Sequence, residues 1–310
     1  MDEYEGLGRL QELKERWVRL QGYKAIKPAV LVMCGDHGVA ERGVSAFSQE
    51  VTEQMIRCYI EGGAAINVLA DLAGANIFVT DLGTKFDLRD VQGVRQAKVA
   101  KGTKDFTVGP AMTLKELQAG IAAGLQVAAE IIDKGYNLLI TAEMGIGNTT
   151  SSAALNSAML GLPASITVGR GSGINDERLA KKRALVEQGL QVNAPQQGDG
   201  LDCLRKVGGF EHAGLVGMMM SAAAHNIPVL LDGVNATAAA LCAVAIEPKV
   251  KDCLFASHLS AETAHSEALT YLGLQPVLKV GMRVGEGTGA CLAVPVLRAA
   301  LAVEYQNNRQ

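Results

Sequence analysis

The stretch Ala29-Val-Leu-Val-Met-Cys34 is apolar without interruption and runs straight into Gly35-Asp36-His37-Gly38. Six apolar residues in a row have the length of a strand. The lack of polar alternation marks a strand covered on both faces, as in a parallel sheet. The glycine turn that follows carries two ionisable groups, and turn chemistry at the end of a buried strand is where an α/β protein exposes its working residues.

Outward from this strand, apolar runs and amphipathic stretches take turns. The patterning predicts helix over 50–73, strand over 76–80, helix over 114–134, strand over 138–141 and helix over 149–160. It then predicts strand over 165–168, helices over 176–190 and 209–225, strand over 228–231, helix over 235–244 and strand over 251–256. Helices over 261–272 and 288–303 close the chain. Short apolar strands separated by helices imply an α/β, doubly wound, mainly parallel (Rossmann-like) sheet. At the start, Leu7, Leu10, Leu13, Trp17 and Leu20 form one stripe of an amphipathic helix that must dock on something. The expected division is a large α/β domain over 28–286 and a small helical domain made of 1–27 plus 287–310.

Composition excludes several classes. The 310 residues carry 29 basic and 32 acidic side chains, net −3, so no overall basic field gathers nucleic acid or anionic lipid. The longest apolar runs fall short of the roughly 20 residues that cross a bilayer. The acidic start, Met1-Asp-Glu-Tyr-Glu5, is unlike a targeting peptide, so the expected location is cytoplasmic. Six scattered cysteines without CxxC spacing read as buried thiols in a reducing compartment.

Four strand-end loops remain for chemistry. Glu143-Met-Gly-Ile-Gly-Asn-Thr-Thr150 follows a strand and opens a helix, so Gly145 and Gly147 can bring backbone N–H groups to an anion; a tight turn capped by Asn148 or Thr149 fits the same residues. Gly169-Arg-Gly171-Ser-Gly173 repeats the arrangement before a helix bearing Lys181, Lys182 and Arg183, otherwise a solvated basic face. Neither loop matches a P-loop, and no complete dinucleotide fingerprint is present. In Gly285-Glu286-Gly287-Thr-Gly289, Glu286 stands between glycines at the lip of an apolar helix, either as a helix-dipole charge or as a general base on a rigid turn. Glu143 is a second strand-end carboxylate of the same kind. Asp36 with His37 reads as a dyad or as structural hydrogen bonding. His258, Glu262 and His265 lack recognised metal spacing, and Ser260 reads as the cap of the helix that follows.

These loops, in this order and over nearly the whole chain, closely resemble the nicotinate-nucleotide:dimethylbenzimidazole phosphoribosyltransferase family. The matching stretches include Asp36-His-Gly-Val39, Gly43-Val-Ser45, Gly62-Gly-Ala-Ala-Ile-Asn67, the loop from Glu143 to Thr150, Gly169-Arg-Gly171, Asp232-Gly233, Ser257-His258 and Gly285-Glu-Gly-Thr-Gly289. The resemblance implies transfer of phosphoribose from nicotinate mononucleotide to an aromatic base, with inversion at the anomeric carbon and neither metal nor other cofactor. It implies Glu286 as general base and Glu143 as a second carboxylate. Lys182 becomes the phosphate lysine, with Gly145, Gly147, Asn148, Gly171 and Gly173 around phosphate and ribose. Asp232, Ser260, Phe47, Met55 and Met144 fall at the nicotinate and base side. Two alternatives are a homologue that activates a phenol or a purine, suggested by the apolar Phe47 and Met55, and a catalytically weak subunit paired with a paralogue. The expected assembly is a homodimer or such a heterodimer, with the helix stripe over 7–20 as its seam.

Overall fold

The computed structural model describes residues 5–305; the acidic opening before Glu5, and 306–310 of the proposed small domain, lie outside the described residues. After a short 3-10 turn come α1 (Arg9–Gln21), β1 (Pro28–Gly35), α2 (Glu50–Glu61), α3 (Ala65–Ala73), β2 (Asn76–Gly83) and β3 (Val94–Gln96). Next are α4 (Leu114–Asp133), β4 (Leu138–Met144), α5 (Asn148–Leu160), α6 (Ala164–Thr167), α7 (Asp176–Asn193), α8 (Gly200–Val207) and α9 (Phe210–Ala224). The chain ends with β5 (Val229–Leu231), α10 (Val234–Ile246), α11 (Val250–Cys253), β6 (Leu254–Ala256), α12 (His265–Leu272) and α13 (Thr288–Tyr305).

The six strands of the described residues are parallel, in the order β3-β2-β1-β4-β5-β6. β1 sits in the middle because both its faces are apolar. Ala29, Leu31 and Met33 join the core under α4, α5, α9 and α10, while Val30, Val32 and Cys34 join the core under α1, α2, α3 and α13. The strand order reverses between β1 and β4, and a crevice opens outside their carboxyl ends at such a switch point. The loops after Gly35 and Met144 therefore meet, as strand ends predict. No described helix is long and apolar enough to cross a membrane.

Several local expectations are corrected. The helix expected over 50–73 is two helices, broken where Gly62 takes φ 84°. The strand expected over 165–168 is the helical turn α6, entered through Pro163. α8, N-capped by Asp199 accepting the Asp202 N–H, and the edge strand β3 were absent from the sequence reading. α12 starts at His265, so Ser260 does not cap it; the Ser260 hydroxyl accepts the Glu262 N–H at 3.2 Å within the preceding loop. Of the stripe expected as a seam, Leu13 and Trp17 are buried within their own chain, in the core that α1 shares with α13, while Leu7, Leu10 and Leu20 are half-buried.

Candidate active site

Two turns close on each other at the switch point. A Cβ on Gly145 would fall 1.8 Å from the Gly35 carbonyl oxygen, so only glycine lets the β4 and β1 loops touch. Gly147, at φ 101°, is the N-cap of α5. The Ile146 N–H donates to the Thr52 hydroxyl at 3.2 Å, and that hydroxyl donates to Asp36 at 2.6 Å. Asp36 also accepts the Lys85 N–H, so the expected Asp36–His37 dyad is separated into a brace for the turn and a second cluster.

In that cluster His37 Nε2 stands 2.8 Å, and His212 Nδ1 2.7 Å, from the same Glu211 oxygen, with Ser152 Oγ 2.8 Å from His212 Nε2. All four residues are buried. Burial pushes the Glu211 carboxyl up, yet the two imidazoles hold it well below the usual range. The ligand atoms of His37, Glu211 and His212 lie within reach of one cation, and the two imidazoles meet the Glu211 carboxylate at ion-pair distance behind the turn. Glu211 and His212 carried no signal beyond lying on an apolar helix.

Glu143, at the end of β4, is 4% exposed. Burial raises it to about 8, opposed by the side chains of Asn235 and Asn148 and reinforced by Glu211 and Asp232. Glu286 itself adopts φ 62°, a left-handed conformation unusual for a side-chain-bearing residue, between Gly285 at 80° and Gly287 at 85°. Asp232 holds this turn by accepting the Gly287 and Ala290 N–H groups, both at 3.1 Å. Burial raises Glu286 to about 7, opposed by the Tyr59 hydroxyl and reinforced by Asp232. A Cβ on Gly285 would lie 3.3 Å from Glu143 Oε1, so the turns bearing the two carboxylates are in contact.

On the other flank Lys182 is 1% exposed, whereas Lys181 faces solvent. Lys182 Nζ donates to Thr149 Oγ1 at 2.9 Å and to the Gly169 carbonyl at 3.2 Å. Burial lowers it to about 8, opposed by the charge of Glu262. Gly171, at φ 50°, leaves room for Thr149 and Lys182, which a Cβ would meet at 2.7 and 3.4 Å.

Between these flanks lies a cleft of about 500 Å³. Its walls bring together Glu143, Glu286, Gly145, Asn148, Gly171 and Ser260. Phe47, Met55 and Met144 form an apolar part of the wall, with Phe47 54% exposed at the rim. Asp232, Lys182, Gly147 and Gly173 are not on the wall: the first two buttress it from behind, Gly147 packs against His37, and Gly173 is exposed. Of His258, Glu262 and His265, the first two border the cleft but turn to different partners. His258 Nδ1 is 2.9 Å from Ser257 Oγ, and Glu262 accepts the Gly171 N–H. His265 lies behind, pulled down to about 3 by burial and His258, and accepts the Ser260 N–H. Asn235 and Arg283 also line the wall. Asn235 was findable, because it follows the β5 end; Arg283 lies in a segment without a regular pattern.

A family model described as phosphoribosyltransferase matches residues 2–308. A curated nicotinate-nucleotide–dimethylbenzimidazole phosphoribosyltransferase of Desulforudis audaxviator is 46% identical over 303 residues, covering 97% of this chain and 86% of its own. One from Roseiflexus sp. (strain RS-1) is 45% identical over 300 residues, covering 96% and 85%. The crystal structure of CobT from Thermus thermophilus superposes with a TM-score of 0.93 at 42% identity, covering 98% of this chain and 91% of that one.

Proposed function

The chain belongs to the nicotinate-nucleotide–dimethylbenzimidazole phosphoribosyltransferase family, and from that premise we propose that it moves phosphoribose from nicotinate mononucleotide to an aromatic nitrogen base, inverting the anomeric carbon from β to α. It is a pentosyltransferase. The observation that carries the finer reading is one cleft whose wall brings Glu286 and Glu143 together with the Gly171 turn, which Lys182 backs from behind. A nucleotide spanning it sets its phosphate at the glycine turn, and the apolar wall of Phe47, Met55 and Met144 receives the flat base.

When a ring nitrogen attacks the anomeric carbon, nicotinate leaves with the electrons of the broken bond. The ring becomes cationic and its other N–H acidic. Glu286, raised toward neutrality by burial, accepts that proton. Glu143, raised further, holds its own proton at neutral pH and acts as a hydrogen-bond donor to the ribose or the leaving group. Asp232 fixes the Glu286 turn rather than touching the base, and Ser260 closes the wall beside it. Neither step calls for a metal.

The decisive experiment measures nicotinate release from nicotinate mononucleotide with and without acceptor. Release that depends on dimethylbenzimidazole supports the reading; equal release without acceptor makes the protein a hydrolase. A panel of phenols and purines decides among acceptors. Exposure of Phe47 and of Val284, 58% exposed at the same rim, favours a dimer, homomeric or with a paralogue, in which the partner covers the cleft. In this reading α1 and α13 form a small helical unit beside the large α/β domain.

A further inference from the structure

The Gly169–Gly171 turn already holds an anion, and it belongs to the protein. Glu262 Oε2 accepts the Gly171 N–H at 3.2 Å. A Cβ on Gly169 would fall 2.2 Å from the same oxygen, so glycine is required there to admit the carboxylate. Lys182 Nζ, bonded to Thr149 and to the Gly169 carbonyl, lies behind the turn and feels the Glu262 charge. Backbone N–H, buried cation and glycine clearance together make up a cradle for an oxyanion.

The main chain around Glu262 is pinned. Its N–H donates to the Ser260 hydroxyl at 3.2 Å, Thr263 Oγ1 donates to the Thr167 carbonyl at 3.2 Å, and the Ser260 N–H donates to His265 at 2.9 Å. The side chain borders the cleft and is only half-buried, so it has open space into which to turn while its backbone stays in place.

We propose that Glu262 is an intramolecular stand-in for the substrate phosphate: its carboxylate occupies the Gly171 cradle until a phosphate with more charge and more acceptor oxygens displaces it. This rests on reading the turn as the phosphate site. It makes Glu262 a specificity-determining residue, because a phosphorylated ligand that supplies its own anion to the cradle can evict it, whereas a nucleoside that brings none leaves it seated. Apo Lys182 also keeps a counter-charge, which spares the fold an uncompensated buried cation.

The test is calorimetry on the full-length protein below the titration range of Lys182, with inorganic phosphate, nicotinate mononucleotide and nicotinate riboside as probes. Glu262→Gln keeps the acceptor for Gly171 and removes the competing charge. It should bind phosphate and the mononucleotide roughly 5- to 30-fold more tightly, with the riboside within about twofold of the parent. Glu262→Asp, which keeps the charge on a shorter stem, should fall between. A structural pin gives the opposite result, since loosening the loop cannot tighten anion binding; unchanged or weaker phosphate affinity in Glu262→Gln overturns the proposal. Lys182→Ala separates the two levels. If it weakens phosphate while Glu262→Gln changes nothing, the cradle stands and only the displacement idea falls. If Lys182→Ala leaves phosphate affinity intact, the cradle assignment falls and the proposal with it.

Discussion

Asp232 accepts the Gly287 N–H at 3.1 Å across 55 positions of sequence, and its other oxygen takes the Ala290 N–H at the start of α13. The buried carboxylate therefore sets the height and tilt of the turn that presents Glu286. It also adds a negative charge that raises both Glu286 and Glu143.

Asp232→Asn separates these two effects. One oxygen acceptor survives, but an amide N–H replaces the other and meets a backbone N–H, which costs about 1–3 kcal/mol for a buried unsatisfied pair. Loss of the charge lowers the ionisation midpoint of Glu286. Denaturant unfolding should show the destabilisation, and the acid limb of kcat/KM should move to lower pH. An unmoved limb assigns that limb to a group other than Glu286.

Glu286→Gln keeps the size of the side chain and removes the base. General-base catalysis contributes typically 100- to 10,000-fold, so kcat should drop by about that factor with nucleotide affinity little changed. In the parent, kcat/KM should rise tenfold per pH unit below about 7, the value to which burial raises Glu286, and level off above it. A kcat within a few-fold of the parent moves the base to another side chain.

The contribution of Glu143 to stability should fall as pH rises. Glu143 is raised in the folded protein from 4.5 to about 8, so between those values the native state keeps a proton that the unfolded chain has released. The native state binds the extra proton, hence the Glu143 contribution to the unfolding free energy declines with pH across that window and is lowest above it. Glu143→Gln removes the penalty, and its unfolding midpoint should exceed that of the parent above pH 8 while the two converge toward the acid end of the window. A constant offset at every pH indicates that packing, rather than ionisation, separates the two proteins.

Much of this was legible from residue order alone, for a physical reason that also marks where legibility ended. A strand buried on both faces has to be apolar at every position, so β1 and β4 stood out, and in an α/β sheet their carboxyl ends locate the crevice. Glu143 and Glu286 followed, as charges at strand and turn ends where apolar runs stop. Four residues such as Ala164–Thr167 carry too little pattern to tell strand from helical turn, and Pro163 decided it. Among Lys181, Lys182 and Arg183 the helix period does not say which turns inward; family resemblance, not spacing, singled out Lys182. Glu211, buried between His37 and His212, was invisible because its partner is 174 positions away and only the sheet brings them together.

Lys182→Ala removes a buried cation whose two hydrogen bonds go to Thr149 and Gly169. A buried cation acting on the phosphate from behind the turn contributes at most what a charge-assisted hydrogen bond does, roughly 1.5–3 kcal/mol, so nicotinate mononucleotide should bind more weakly by up to about 10- to 150-fold. Affinity for the free aromatic base should hardly change, because the base brings no phosphate to the turn that Lys182 backs. Equal losses for nucleotide and base point to a collapsed site instead of a missing phosphate contact.

The last prediction concerns the first helix. Trp17 is 1% and Leu13 3% exposed, both in the core shared with α13, and Arg16 reaches the Leu254 carbonyl and the Phe255 ring at the sheet edge. These contacts belong to one chain, so α1 acts as a clamp that ties the start of the protein to α13 and β6. Truncating buried Leu or Trp costs about 2–5 kcal/mol. Leu13→Ala and Trp17→Ala should therefore lower the unfolding free energy by that amount while the folded fraction sediments as the parent does. Because α13 begins at the Glu286 turn, a loosened α1 should also lower kcat before global unfolding sets in. Variants that keep the parent's unfolding free energy but sediment as a smaller species would return α1 to the subunit interface and leave the clamp without support.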